Sequence, residues 1–284
     1  MESTIGQCVS CAQINPIEVH MFSISRARIS LWNSLLAFTL IFVLLGPASA
    51  DESSGTVPAQ ADRVSVEYIK GYFTDTGNIV VSPMNWNGDD WLKAGLVVTA
   101  TAGIYFADTD IKHFAQRNQS SAGDSLASVG DALGNPAYSL PPLGLLYLYG
   151  HYSDDPKARQ ASLLSAESLA VSGLFSVAIK MATQRPRPQT GESSSKWYGP
   201  RLKSGDMSFP SSHTTAAFSV ASVLVEEYGA NPYVPPIAYG LASLTAFARV
   251  YDNKHWASDV FLEGPSATLS EKQLFDTTRR AILH

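Results

Sequence analysis

The chain has 284 residues, enough for one large hydrophobic core or two small ones. Charged residues make up only 16% of it and the net charge is −5, which argues against a general nucleic-acid binder. Its two cysteines, Cys8 and Cys11, form a single Cys-x-x-Cys, and no second cysteine pair or histidine pair lies nearby to complete a metal site.

From Met21 the sequence reads as a secretory signal. Arg26 and Arg28 supply the positive start, Leu35 to Leu45 the apolar run, and Ala48-Ser49-Ala50 a small-x-small cleavage site before Asp51. Residues 1–20 sit awkwardly ahead of such a signal, which makes Met21 the expected true start. The expected organisation is therefore an upstream extension and signal peptide over 1–50, followed by one helical domain over 51–284. This places the mature protein in the periplasm or outside the cell, and an uncleaved, integral membrane form is the alternative.

Residues 51–60 are polar and read as a leader. Asp62 to about Phe73 suits a short helix, Asn85 to Asp90 is turn-rich, and Trp91 to Phe106 has the composition of a buried helix. That run falls short of the 18 or more unbroken apolar residues of a membrane span. Gln116 to Gly123 reads as a polar loop, and Asn135-Pro136 and Pro141-Pro142 as breaks. Longer helical patterns follow at Ala158–Met181, Ser211–Glu227 and Pro235–Val250, with a polar, proline-rich loop from Gln184 to Met207. Patterns of helical length without alternating strand runs predict an all-α helical bundle. Beyond Phe261 the tail 262–284 is atypical: Gly264-Pro265 breaks the chain, and Ser270 with Gln273 has the spacing of a capping box.

Three clusters carry chemistry. Lys180-Met-Ala-Thr-Gln-Arg185-Pro-Arg187-Pro188 reads by itself as a basic helix end stopped by prolines. Ser208-Phe-Pro210-Ser211-Ser212-His213 reads as a serine N-cap, or as hydroxyls, an imidazole and free backbone N–H groups gathered on an anion. Arg249-Val-Tyr-Asp-Asn-Lys-His255-Trp-Ala-Ser-Asp259 places a histidine and a carboxylate four apart, on one face if the segment is helical. A carboxylate so placed can fix an imidazole's tautomer.

In this order and spacing the clusters resemble the three-part signature of the type 2 phosphatidic acid phosphatase superfamily: Lys-x6-Arg-Pro, Pro-Ser-Gly-His and Ser-Arg-x5-His-x3-Asp. That group includes lipid phosphate phosphatases, bacterial class A acid phosphatases and vanadium haloperoxidases, and the resemblance covers about residues 140–260. It implies a helical bundle of the acid phosphatase and haloperoxidase type. It further implies a metal-independent phosphomonoesterase acting on soluble or lipid phosphate esters at a membrane surface. His255 would be the nucleophile that forms a phosphohistidine, Asp259 would hold its ring, and His213 would be the general acid and then the base. Lys180, Arg187 and Arg249 would neutralise the phosphoryl oxygens, helped by Ser211 and the Ser212 N–H. No cofactor is implied except vanadate, and that only under the haloperoxidase alternative. A non-catalytic anion-binding relative is the other alternative.

The chain departs from the signature in three places. Ser212 replaces a glycine and would be strained wherever positive φ is required. Ala248 replaces a serine, and the tail lacks the usual small-residue helix. Arg185 matches no signature position and is read as a solvated neighbour.

Overall fold

The computed structural model describes residues 66–201 and 205–264. The cysteine pair, signal sequence, start at Met21, cleavage at Ala50 and capping box at Ser270 all fall outside the described residues. The described helices are α1 (Val66–Val81), α2 (Gly88–Arg117), α3 (Ser121–Gly134), α4 (Pro136–Tyr152), α5 (Pro156–Thr183), α6 (Ser212–Tyr228) and α7 (Val234–Tyr251). A last helix, α8, covers 257–264. Among the described residues there is no strand, only an isolated antiparallel bridge between Pro186 and Met207. The fold is all-α, as expected.

Local chemistry sets where the helices begin. Asn87 accepts from the backbone N–H of Asp89 at 2.8 Å and of Asp90 at 3.0 Å, while the Asp90 carboxylate accepts from Asn87 N–H at 3.2 Å. This reciprocal cap satisfies donors that the first helical turn leaves free. It turns the expected break at 85–90 into a helix start, and α2 runs well beyond Trp91–Phe106. Ser120 caps α3 through Gly123 N–H at 3.1 Å, so the polar stretch Gln116–Gly123 contains one short turn between two helices.

Pro141 and Pro142 do not break the chain; both lie inside α4. Proline's fixed φ is helical, so the helix runs on to Tyr152 although the two prolines remove two backbone donors. At α5 the Asp155 side chain caps Lys157 and Ala158, and Pro156 occupies the first turn.

The core lies where α4, α5, α6 and α7 meet. Leu143 and Leu146 of α4 pack with Ala161 and Leu169 of α5 and with Leu224 of α6. Ala217 and Ala221 of α6 meet Ala238 and Ala242 of α7. Helix α3 lies still closer to α7. A Cβ on Gly130 would come within 2.3 Å of the Leu244 carbonyl oxygen, and the Thr245 hydroxyl donates to the Gly130 carbonyl at 2.8 Å. Only glycine permits that approach.

The outward faces are unusually apolar: Leu96 and Phe106 of α2, Leu145 and Leu148 of α4, and Leu174 and Val177 of α5 are all exposed. Among the described helices, α5 alone is long and apolar enough to cross a membrane.

Candidate active site

Backbone pairing brings the three sequence clusters to one end of the bundle. Helix α5 stops at Gln184, which takes left-handed φ of 50°, and the chain continues extended to Arg187 before a short 3-10 turn at Pro188–Thr190. There Ser208 N–H donates to the Arg185 carbonyl at 2.7 Å, and Arg187 N–H donates to the Asp206 carbonyl at 3.0 Å. These bonds join the first cluster to the second. The third is fixed by the Trp256 indole N–H, which donates to the Pro186 carbonyl at 2.9 Å, and by Gln189 N–H on the Asn253 carbonyl at 3.1 Å.

His255 is buried just ahead of α8 and shares no helix with Arg249 or the end of α7. Its N–H donates to the Arg249 carbonyl at 3.0 Å, which folds the connecting turn back over α7. Its ring Nδ1 lies 2.5 Å from the Ser208 carbonyl oxygen. A carbonyl only accepts, so Nδ1 carries the proton and the neutral ring keeps its lone pair on Nε2. Burial, reinforced by the charges of Lys180, Arg249 and Arg187, holds the imidazole well below the usual histidine pKa. The ring is therefore neutral and presents an unprotonated Nε2 near neutral pH.

Asp259 is placed differently from expectation. The helix starts at residue 257, so His255 and Asp259 do not share a helical face. The Asp259 carboxylate instead accepts from Trp256 N–H at 3.1 Å, capping the helix, and pairs with the Ser208 hydroxyl and with Arg185. It reaches the His255 ring through Ser208, whose carbonyl holds Nδ1.

Arg185 corrects a second expectation. It is not solvated but 1% exposed, with Arg185 Nη2 at 2.7 Å from Asp108 Oδ2 and Arg185 Nη1 paired with Asp259. Its guanidinium also lies 4.9 Å from the ring centres of Tyr105 and Trp197. Two carboxylates and flanking aromatic faces provide what a buried guanidinium needs.

On the other side of the site, Arg249 is paired with Asp131 of α3, and Asp131 Oδ1 is 3.8 Å from His213 Nε2. Arg249 Nε is buried and has no hydrogen-bond partner. An unsatisfied donor on a buried cation is costly unless an acceptor joins it. Lys180 Nζ donates to the Pro210 carbonyl, and Arg187 Nε donates to the Met207 carbonyl at 3.3 Å. The charges of Lys180, Arg187 and Arg249 act on both His213 and His255.

Ser211 is fully buried and caps α6: its hydroxyl lies 2.9 Å from the Thr214 hydroxyl and accepts from Thr214 N–H at 3.4 Å. Ser212 opens that helix and is not among the positive-φ residues, so serine stands in the glycine position without backbone strain. Ala248 is fully buried against α3, where the Cβ of a residue at 130 would come within 2.9 Å of its own Cβ. The position is occupied by packing and leaves little room for a hydroxyl. The structure thus gathers Lys180, Arg187, Ser211, Ser212, His213, Arg249, His255 and Asp259 at one end of the bundle.

Residues 161–262 match the family model described as the PAP2 superfamily. That segment is similar to a PAP2 superfamily domain. The structure also resembles the crystal structure of a transmembrane PAP2 type phosphatidylglycerolphosphate phosphatase from Bacillus subtilis. That match has a TM-score of 0.52 at 20% identity and covers 66% of this chain and 94% of that one. The likeness extends the shared fold beyond the matched segment. A 54-residue stretch is 44% identical to a lipid A 1-phosphatase of Porphyromonas gingivalis, covering 19% of this chain and 12% of that protein.

Asp108, Asp131 and Ser208 were not picked out by the motif reading. Asp108 and Asp131 lie before the segment that matches the PAP2 family model, and Ser208 enters through its backbone carbonyl as well as its hydroxyl. Asp131 had one usable signal: it is a lone carboxylate within the small-residue run Gly130-Asp131-Ala132-Leu133-Gly134.

Proposed function

We propose that the protein is a metal-independent phosphomonoesterase that hydrolyses phosphate esters, lipid phosphates among them, through a phosphohistidine at His255. The observation that carries this reading is the His255 ring, fixed with its proton on Nδ1 by the Ser208 carbonyl, standing with His213 in the field of three cations, Lys180, Arg187 and Arg249. A phosphoryl group bound there would meet the positive charge of all three.

In this mechanism His255 Nε2 attacks phosphorus in line, an N–P bond forms and the ester P–O bond breaks. Burial, then the charge of Arg249, lowers the His213 pKa to about 4 in the unliganded site; the phosphate dianion raises it again, so His213 takes up a proton from solvent as substrate binds and delivers it to the departing alkoxide oxygen. Water then attacks the phosphohistidine, giving its proton to His213 while the N–P bond breaks and releases inorganic phosphate. Lys180, Arg187 and Arg249 offset the negative charge on the three non-transferring oxygens in both steps. Ser211 holds the N-terminus of α6 in place, and the Ser212 N–H donates to the same oxygens.

A lipid substrate is supported by the apolar outward faces of α2, α4 and α5, which suit a protein bound to a bilayer. The relatives' names, one a lipid A phosphatase and the other a phosphatidylglycerolphosphate phosphatase, point the same way.

The test is release of phosphate from p-nitrophenyl phosphate and from phosphatidic acid in EDTA, by the wild type and by His255→Ala. The expected result is turnover that survives the chelator and vanishes in the variant, with acid-labile 32P trapped on the wild type alone. Undiminished turnover by His255→Ala would overturn the assigned nucleophile.

A further inference from the structure

We infer that Asp108 of α2, outside the PAP2-like segment, is a positioning residue for His255, acting through Arg185, Asp259 and Ser208. The inference rests on the phosphatase reading for its catalytic meaning, and on geometry alone for the connection.

Each link is buried and polar. Asp108 Oδ2 meets Arg185 Nη2 at 2.7 Å and accepts from the Ser258 hydroxyl at 2.6 Å, while Asp108 Oδ1 accepts from Ser258 N–H at 2.9 Å. The carboxylate therefore holds the guanidinium and the first turn of α8 at once. Arg185 Nη1 donates to the Ser258 hydroxyl at 2.9 Å and to Asp259. Asp259 in turn accepts from the Ser208 hydroxyl, and the Ser208 carbonyl oxygen lies 2.5 Å from His255 Nδ1. Asp108, Arg185, Ser208 and Asp259 are all at most 1% exposed, so water does not stand in for a lost partner.

The residues nearby reinforce the same connection. Lys112, one turn after Asp108, donates to the Pro188 carbonyl at 2.9 Å and lies 5.4 Å from the Trp256 ring centre. Helix α2 thus braces both clusters that flank His255. The guanidinium has carboxylates on two sides and aromatic rings on its faces, so its orientation is fixed by Asp108 as much as by Asp259.

Asp108→Asn tests the connection with little change of shape. An amide presents an N–H₂ either to Arg185 or to Ser258 N–H, both donors, so one contact must fail. The full-length chain is assayed for kcat and KM per folded molecule, with folded fraction from circular dichroism, beside 15N spectra of the His255 ring. Asp110→Asn, on the exposed side of the same helix, is the control for surface charge.

The expected result for Asp108→Asn is a fall in kcat of about 10- to 100-fold with KM nearly unchanged, the size seen when an outer-shell partner is lost. The Nδ1–H tautomer should also lose population. Wild-type kcat per folded molecule in Asp108→Asn overturns the inference and leaves Asp108 a structural residue. If that variant does not fold, Arg185→Lys is read the same way: it keeps the charge and removes the fork, so unchanged kcat there also overturns the inference. If the wild type has no turnover at all, the phosphatase reading fails, and the ring spectrum alone decides. An Nδ1–H signal that Asp108→Asn leaves unaltered then overturns the positioning.

Discussion

At the scale of single residues, the site depends on which nitrogen of His255 is free. The Ser208 carbonyl fixes the proton on Nδ1, and burial beside three cations keeps the ring neutral. The sign of the resulting pH dependence follows directly. The folded ring resists protonation, while the unfolded chain takes up a proton below the ordinary value of 6.5. The unfolded state therefore binds more protons in that range, and stability falls as pH drops below 6.5. The slope from this group reaches at most about 1.4 kcal/mol per pH unit. Thermal melts of wild type and His255→Asn at pH 7 and pH 5 isolate it: the wild type should lose more stability on acidification than the variant. Equal losses would show that His255 is not held neutral by the fold.

Arg249 gives a prediction of a different kind. Its Nη1 holds Asp131 while its charge acts on both His213 and His255. Arg249→Lys keeps the charge but loses the planar fork that can hold Asp131 and a phosphoryl oxygen in fixed directions. Initial-rate kinetics should show kcat reduced by about 10²- to 10³-fold, the range for losing one preorganised donor to developing charge. A variant within a few-fold of wild type would remove Arg249 from the phosphoryl site.

At the scale of elements, glycine 130 decides how α3 and α7 meet. With the Leu244 oxygen only 2.3 Å from where a Cβ would sit, Gly130→Val must push the helices apart. Overpacking of this sort costs about 1–3 kcal/mol. Because Asp131 is the next residue and pairs with Arg249, the same variant should lower kcat beyond its loss of stability. Chemical denaturation and kinetics on the folded fraction separate the two effects.

Much of this level was legible beforehand. Apolar periodicity placed α5, α6 and α7 close to where they lie, because those helices bury a face against one another. Pro141 and Pro142 have the sequence signal of a stop, yet α4 carries both in its interior. The reading of Arg185 failed for a deeper reason: nothing near it in sequence reveals that Asp108, far back along the chain, will neutralise it. Pair spacing likewise put His255 and Asp259 on a common helical face, whereas the helix begins only after His255.

At the scale of the whole molecule, the active end is polar and closely bonded while the flanks of the bundle are apolar. Leu96, Phe106, Leu145, Leu148, Leu174 and Val177 turn outward on α2, α4 and α5. A protein bound to a bilayer through these faces should stay with membranes through a high-salt wash and leave them only with detergent. Release by salt alone would count against the apolar faces as the means of attachment, and with it against a substrate drawn from the lipid phase.

Asp108 and Asp131 also bear on how the PAP2-like segment can be exchanged between proteins. Both carboxylates precede residue 161, yet each neutralises an arginine inside that segment. A chimera that takes residues 161–262 from this chain and α2 and α3 from another would inherit Arg249 without Asp131, and Arg185 with Asp259 as the one carboxylate left of its two. Exchange of the segment between relatives is therefore constrained by two charge pairs across its boundary, and a donor sequence must match at 108 and 131 as well as in its signature motifs.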